Sequence, residues 1–231
     1  MPLTSIREFA DSAAEPKIRG FLHLPETPTG DALVLTHGAG GNAKAPILIA
    51  LAEVFAAEGL QVLRCDLPYR QTRPWGPPGP GDAARDRAGL KNAVEAMKQT
   101  NPGKVYLGGH SYGGRQSSML CAEEPGLVAG LLLLSYPLHP PRKPEQQRTQ
   151  HLPDLRTPAL FVQGTRDPFG SIPEIEQALK MIPARTKLLM VENAGHDLGF
   201  KGKTKKEDLP EIVLRKFREF FEALQPWNAE P

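Results

Sequence analysis

The chain has 231 residues, with 28 basic against 26 acidic side chains and a formal net charge of +2; so even a balance argues against general affinity for nucleic acid or an anionic membrane. Residues 1–15 mix charges with small side chains and hold no apolar run of the kind a signal peptide or anchor needs. Cys65 and Cys121 are too few for a disulfide framework and lack metal-ligand spacing, so the expectation is a cytoplasmic protein without metal or cofactor, folded as one domain over residues 1–231.

Residues 17–24 read as a first strand ended by Pro25, and residues 31–36 as a second, apolar one that runs straight into His37-Gly38-Ala39-Gly40-Gly41-Asn42. Pro46 suits the first turn of a helix that carries Leu48, Leu51, Ala52 and Phe55 on one face and stops at Gly59. Residues 60–65 form the third strand, with Asp66 at its end. A proline-rich loop over 67–81 then carries Tyr69, Arg70, Arg73 and Trp75, and a helix over 83–100 is stopped by Pro102-Gly103.

Residues 104–107 make a buried strand leading into Gly108-Gly109-His110-Ser111-Tyr112-Gly113-Gly114, and the segment from Arg115 reads as a helix. Residues 127–135 are almost unbroken aliphatic, as a strand covered on both faces requires. A loop rich in Pro, Arg and Gln spans 136–155. The strand over 159–163 delivers Gly164-Thr165-Arg166-Asp167, and a helix over 173–181 follows. The strand over 187–191 delivers Gly195-His196-Asp197, and a closing helix aligns Val213, Phe217, Phe220 and Leu224. The basic run at 201–206 reads as a solvated connector. Strands and helices alternating in this way build a mostly parallel sheet with helices on both faces, and each chemically suggestive loop falls at the carboxyl edge of that sheet.

Gly109-x-Ser111-x-Gly113, set between a strand and a helix, has the pattern of a nucleophile elbow. Its tight turn exposes a serine hydroxyl, and its glycines admit close backbone packing. Serine needs a base, and that base needs an acid to hold its tautomer. The required chain order is met by Ser111, Asp167 and His196, with Asp197 as a fallback acid. Of the other histidines, His110 adjoins the serine, His37 belongs to the glycine loop, and His23, His139 and His151 lie before the acid. Backbone amides of Tyr112 and Ala39, with Gly40 as alternate, are the expected oxyanion donors. Arg70, Arg115 and Arg148, together with Trp75, are candidate substrate contacts at the same edge. The arginines would favour a carboxylate or phosphate.

A rival pattern is Gly38-x-Gly40-x-x-Ala43 with Asp66 at the end of the next strand, which imitates a dinucleotide-binding fingerprint. His37 and the late Pro46 count against it, and it leaves Ser111, Asp167 and His196 without a purpose.

With His37-Gly38-Ala39-Gly40, Gly109 to Gly114, Gly164 to Asp167 and Gly195-His196 in view, the chain resembles the α/β-hydrolases over nearly its whole length. It is similar to the dienelactone-hydrolase-like group. Through Tyr136-Pro137-Leu138-His139, Arg148, His151-Leu152 and residues 160–170 it resembles the branch of testis-expressed hydrolase-like proteins and the non-specific-lethal complex subunit. The resemblance implies a serine-hydrolase fold without a large cap, acting on a small-molecule ester. Dienelactone hydrolases proper use cysteine where this chain has Ser111. The branch also includes complex subunits, so a non-catalytic interaction module is the alternative, and a dinucleotide-binding oxidoreductase is a more remote one.

Overall fold

A computed structural model describes residues 4–200 and 208–222. The basic run at 201–206 and Leu224 lie outside the described residues.

Eight strands form one open sheet: β1 (Ser5–Asp11), β2 (Ile18–Leu24), β3 (Ala32–Thr36), β4 (Gln61–Cys65), β5 (Val105–His110), β6 (Gly130–Leu134), β7 (Ala159–Gly164) and β8 (Thr186–Val191). Their order across the sheet is β1-β2-β4-β3-β5-β6-β7-β8. β1 pairs antiparallel with β2, β2 antiparallel with β4, and every later pair is parallel.

Among the described residues six α-helices connect or flank these strands: α1 (Pro46–Ala57), α2 (Pro68–Thr72), α3 (Asp82–Thr100), α4 (Tyr112–Glu123), α5 (Ile172–Leu179) and α6 (Leu209–Glu222). The two-residue period of the strands divides the core. Val34, Leu131 and Leu133 point to the face covered by α3, α4 and α5, whereas Leu33, Leu35, Leu132 and Leu134 point to the face covered by α1 and α6. All five residues of β6 are buried, which explains their aliphatic run. Pro46 occupies the first turn of α1, and Gly59 just beyond it adopts φ +96°.

Two elements differ from the sequence expectation. β1 replaces an irregular N-terminal stretch: most of its residues are exposed, and it holds its place through pairing with β2 along the sheet margin, so its polar composition carries little burial signal. The loop over 67–81 contains the short helix α2, begun by Pro68 at its first position. Both differences leave the carboxyl edge of the parallel strands as the place where the loops after β3, β5, β7 and β8 meet.

Candidate active site

β5 ends at His110 and α4 begins at Tyr112, so Ser111 alone makes the turn between them. It sits at φ 52°, ψ −117°, a backbone state that costs an L-residue of order 1–3 kcal/mol and is held only by its surroundings. The Ser111 amide is fastened to the Leu134 carbonyl at 2.8 Å, and the Ser111 carbonyl accepts from the Arg115 amide at 2.9 Å. Gly113 makes the turn possible sterically: a Cβ there would lie 2.5 Å from the His37 carbonyl oxygen and 2.6 Å from the Thr36 methyl. The glycine lets α4 pass against the end of β3.

The structure brings Ser111, Asp167 and His196 together. Ser111 Oγ lies 2.8 Å from His196 Nε2, and His196 Nδ1 lies 2.8 Å and 3.0 Å from the two carboxylate oxygens of Asp167. A carboxylate only accepts, so Nδ1 carries the proton and Nε2 presents its lone pair to the serine hydroxyl. Asp167 is buried, and its Oδ1 also accepts the Phe169 amide at 2.9 Å. Asp197, the fallback acid, instead accepts the Gly199 amide at 3.1 Å in the turn after the histidine.

Several residues that the motif does not mark hold this relay. Phe169 stacks on the His196 ring, with centroids 4.1 Å apart and planes 29° from parallel. His110 Nε2 donates to the His196 carbonyl at 2.7 Å, tying the histidine loop to the serine turn. Gln163 accepts the Tyr136 amide and donates to the Gly170 carbonyl, fixing the loop that carries Asp167. Gly164 lets the loops after β7 and β8 touch, since a Cβ there would run into the Ala194 and Gly195 carbonyl oxygens. Of these, Gln163, Gly164, Phe169 and Gly170 stand in one run of sequence, which is the signal that could have found them.

The glycine loop after β3 packs directly on the serine turn; a Cβ on Gly38 would lie 3.2 Å from Ser111 Cβ. His37, fully buried, accepts the Leu67 amide at Nε2 and therefore donates from Nδ1 to the Gly38 carbonyl at 2.9 Å. Burial pushes its pKa down, in keeping with this neutral tautomer. Tyr69 donates to the Ala39 carbonyl at 2.8 Å, and Arg70 donates to the carbonyls of Ala39, Gly41, Arg73 and Gly76. The short helix α2, unread in the sequence, thus brings two side chains that grip the loop bearing Ala39.

Tyr112, by contrast, has its hydroxyl drawn to buried Asp86 at 2.8 Å, which also accepts the Tyr69 amide. Burial raises the pKa of the Asp86 carboxyl and that of the Tyr112 phenol. The Tyr112 amide is the first of α4, so it has no acceptor within its own helix.

A cavity of about 780 Å³ opens over the relay, and Ala39, Ser111, Tyr112, Arg115, Arg148 and His196 are among its lining residues. Two expected substrate contacts lie elsewhere. Arg70 is 6% exposed, with its guanidinium turned onto backbone carbonyls, and Trp75 is 79% exposed and does not line the cavity. Asp66, the acid of the dinucleotide-like pattern, holds the Ala43 amide at 2.7 Å and so closes the glycine loop on itself.

Cys65 and Cys121 are both buried and free, with burial pushing each thiol up to about 12. Among the described residues no group of three or more His, Cys, Asp or Glu is placed to hold a metal ion, and no helix is long and apolar enough to cross a membrane.

Over residues 29–221 the chain matches the family model described as an alpha/beta hydrolase domain. Among solved structures it is similar to the dienelactone hydrolase of Anabaena variabilis, at 23% identity over 95% of this chain and 98% of that one, with a TM-score of 0.71. It is similar to Est1E from Butyrivibrio proteoclasticus at 16% identity, over 94% of this chain and 99% of that one, with a TM-score of 0.70. A lidless α/β serine hydrolase from Xanthomonas campestris is 16% identical over 99% of this chain and 97% of that one, with a TM-score of 0.68. At these identities the likeness is one of fold.

Proposed function

As this chain belongs to the alpha/beta hydrolase family, we propose that it is a serine hydrolase cleaving carboxylic esters of small substrates through Ser111, His196 and Asp167. The observation that carries the reading is the unbroken hydrogen-bond relay from Ser111 Oγ through His196 to Asp167, on a strained turn at the floor of a cavity.

In this mechanism His196 Nε2 takes the Ser111 proton as Oγ bonds to the substrate carbonyl carbon. The carbonyl π electrons move onto oxygen, and the amides of Ala39 and Tyr112 receive the resulting oxyanion. Collapse of the tetrahedral adduct breaks the ester C–O bond, and the imidazolium returns its proton to the leaving alcohol. Water then gives a proton to His196 and attacks the acyl-enzyme, releasing the acid and restoring Ser111. Asp167 holds the tautomer throughout and stabilises the imidazolium.

Kinship with the testis-expressed branch is part of the proposal, supported by residues 160–170, which supply Gln163, Asp167 and Phe169 to the site. Because that branch includes complex subunits, turnover is the point to test. A fluorophosphonate probe is expected to label the native chain at Ser111 and to leave Ser111→Ala unlabelled. A native chain that stays folded and unlabelled, and hydrolyses none of a panel of p-nitrophenyl esters, would overturn the enzyme reading in favour of an interaction module.

A further inference from the structure

Two arginines line the cavity without an ion-pair partner among the described residues. Arg115 lies on α4 one turn after Ser111, and Arg148 lies on the loop between β6 and β7. Several arginines elsewhere are committed: Arg87 to Glu123 and Gln116, Arg73 to Asp82, Arg85 to Glu15, and Arg70 to four carbonyls. Among the described residues neither Arg115 nor Arg148 forms an ion pair, and Arg115 Nε is shut off from solvent without an acceptor. Burial first, and the Arg115 charge second, depress the Arg148 pKa, so the two like charges are held close enough to repel.

Holding such a pair in place requires structure, and the structure supplies it. The Arg148 amide is bonded to the Leu138 carbonyl at 2.7 Å. Three residues further on, His151 Nε2 meets Ser118 Oγ of α4 at 2.8 Å and the Tyr136 hydroxyl at 3.0 Å. That imidazole is kept neutral, its pKa pushed down to about 4 by burial and by the charges of Arg115 and Arg87. The loop bearing Arg148 is thereby fastened to the helix bearing Arg115. Lys44 adds a third cation to the cavity lining, where the acid is Asp197 in the turn after His196.

We propose that Arg115 and Arg148 form an anion subsite beside Ser111, and that the substrate is an ester carrying a carboxylate or phosphate within reach of its reacting carbonyl. Unpaired guanidiniums in a partly desolvated cavity gain most from a planar or multidentate oxyanion, which satisfies their donors and relieves their mutual repulsion. This rests on the hydrolase reading for its chemistry, though not for binding.

The test compares matched esters: monophenyl adipate against phenyl hexanoate for a carboxylate on the acyl side, 4-acetoxybenzoate against phenyl acetate for one on the alcohol side, and 4-acetoxyphenyl phosphate for a phosphate. The anionic member of at least one pair is expected to show kcat/KM higher by about tenfold or more, and Arg115→Gln or Arg148→Gln to collapse that ratio toward one. Preference for the neutral member in every pair, or a ratio that both variants leave intact, would overturn the proposal. Calorimetry on Ser111→Ala with monoethyl adipate, ethyl hexanoate and inorganic phosphate keeps the two readings apart. Anion binding that disappears in the double variant with Arg148→Gln supports the subsite even if the native chain turns nothing over. Absence of anion binding sinks it even if Ser111 is labelled.

Discussion

Arg70→Met separates a residue that builds the site from one that touches substrate. Methionine keeps the apolar stem and removes the guanidinium, whose Nε donates to Gly41 at 2.7 Å and whose Nη2 donates to Ala39 at 3.0 Å and Gly76 at 2.7 Å, while Nη1 donates to Arg73 at 3.0 Å. A bond from a charged donor contributes about 1.5–3 kcal/mol. Arg73 and Gly76 are exposed, so water can replace the lost donor there, whereas Ala39 and Gly41 are half-buried against the core. Counting mainly the latter two, the loss is about 3 kcal/mol. At a urea dependence of about 1–3 kcal/mol per molar, the unfolding midpoint falls by about 1–3 M.

Activity should fall with it. The loop that loosens carries the Ala39 amide, and loss of one oxyanion donor costs about 10²–10³ in kcat. The assay pairs urea unfolding with steady-state hydrolysis of an uncharged p-nitrophenyl ester and of an anionic one. A lower midpoint with a kcat defect is the expected outcome. An unchanged midpoint, with the defect confined to KM for anionic esters, would refute the reasoning and return Arg70 to substrate contact.

Asp167→Asn keeps the shape of the acid but lets Nδ1 present the wrong tautomer, so kcat should drop about 10⁴-fold with the fold intact, read by ester hydrolysis and circular dichroism. Gly164→Ala drives a methyl into the Ala194 and Gly195 carbonyls; it should destabilise by about 1–3 kcal/mol and lower kcat, because the strands that present Asp167 and His196 must part. Stability should fall as the pH drops from about 6.5 to about 4. His23 is buried with Nε2 accepting from Arg64, and burial and that charge hold it to about 4, so in this window the unfolded chain takes up a proton that the native one refuses. The contribution is on the order of 3 kcal/mol, and His23→Gln should flatten the fall in urea midpoint between about pH 7 and about pH 5; a slope unaffected by the substitution would contradict it.

The parallel strands and their loops were legible because burial on both faces writes continuous aliphatic runs, as in β6, and because Gly109, Gly113 and Gly164 sit where a Cβ would strike backbone. The order Ser111, Asp167, His196 was legible too, and the structure sets the Ser111 hydroxyl and the Asp167 carboxylate each within 2.8–3.0 Å of the His196 ring. β1 was not, since most of its residues are exposed and write no apolar face. Nor was α2, where five residues are too few to show helical periodicity and the neighbouring prolines suggest a loop. That omission disguised Arg70: an arginine near the active edge suggests an anion until its four carbonyl partners are seen. Nothing local marks Asp86 as a support, because its bond to the Tyr112 hydroxyl arises only when distant segments fold together, and Phe169 is marked only by standing two residues after Asp167, its stacking on His196 being a contact between distant segments.

The central claim, that Ser111 forms a covalent acyl intermediate with His196 as its base, is tested most directly by acid-quenching the chain during turnover of p-nitrophenyl acetate and sequencing its peptides by mass spectrometry. The account predicts an acetyl group on Ser111, absent from Ser111→Ala and from His196→Ala. Turnover that persists in Ser111→Ala, with no acylated serine in the native chain, would contradict it.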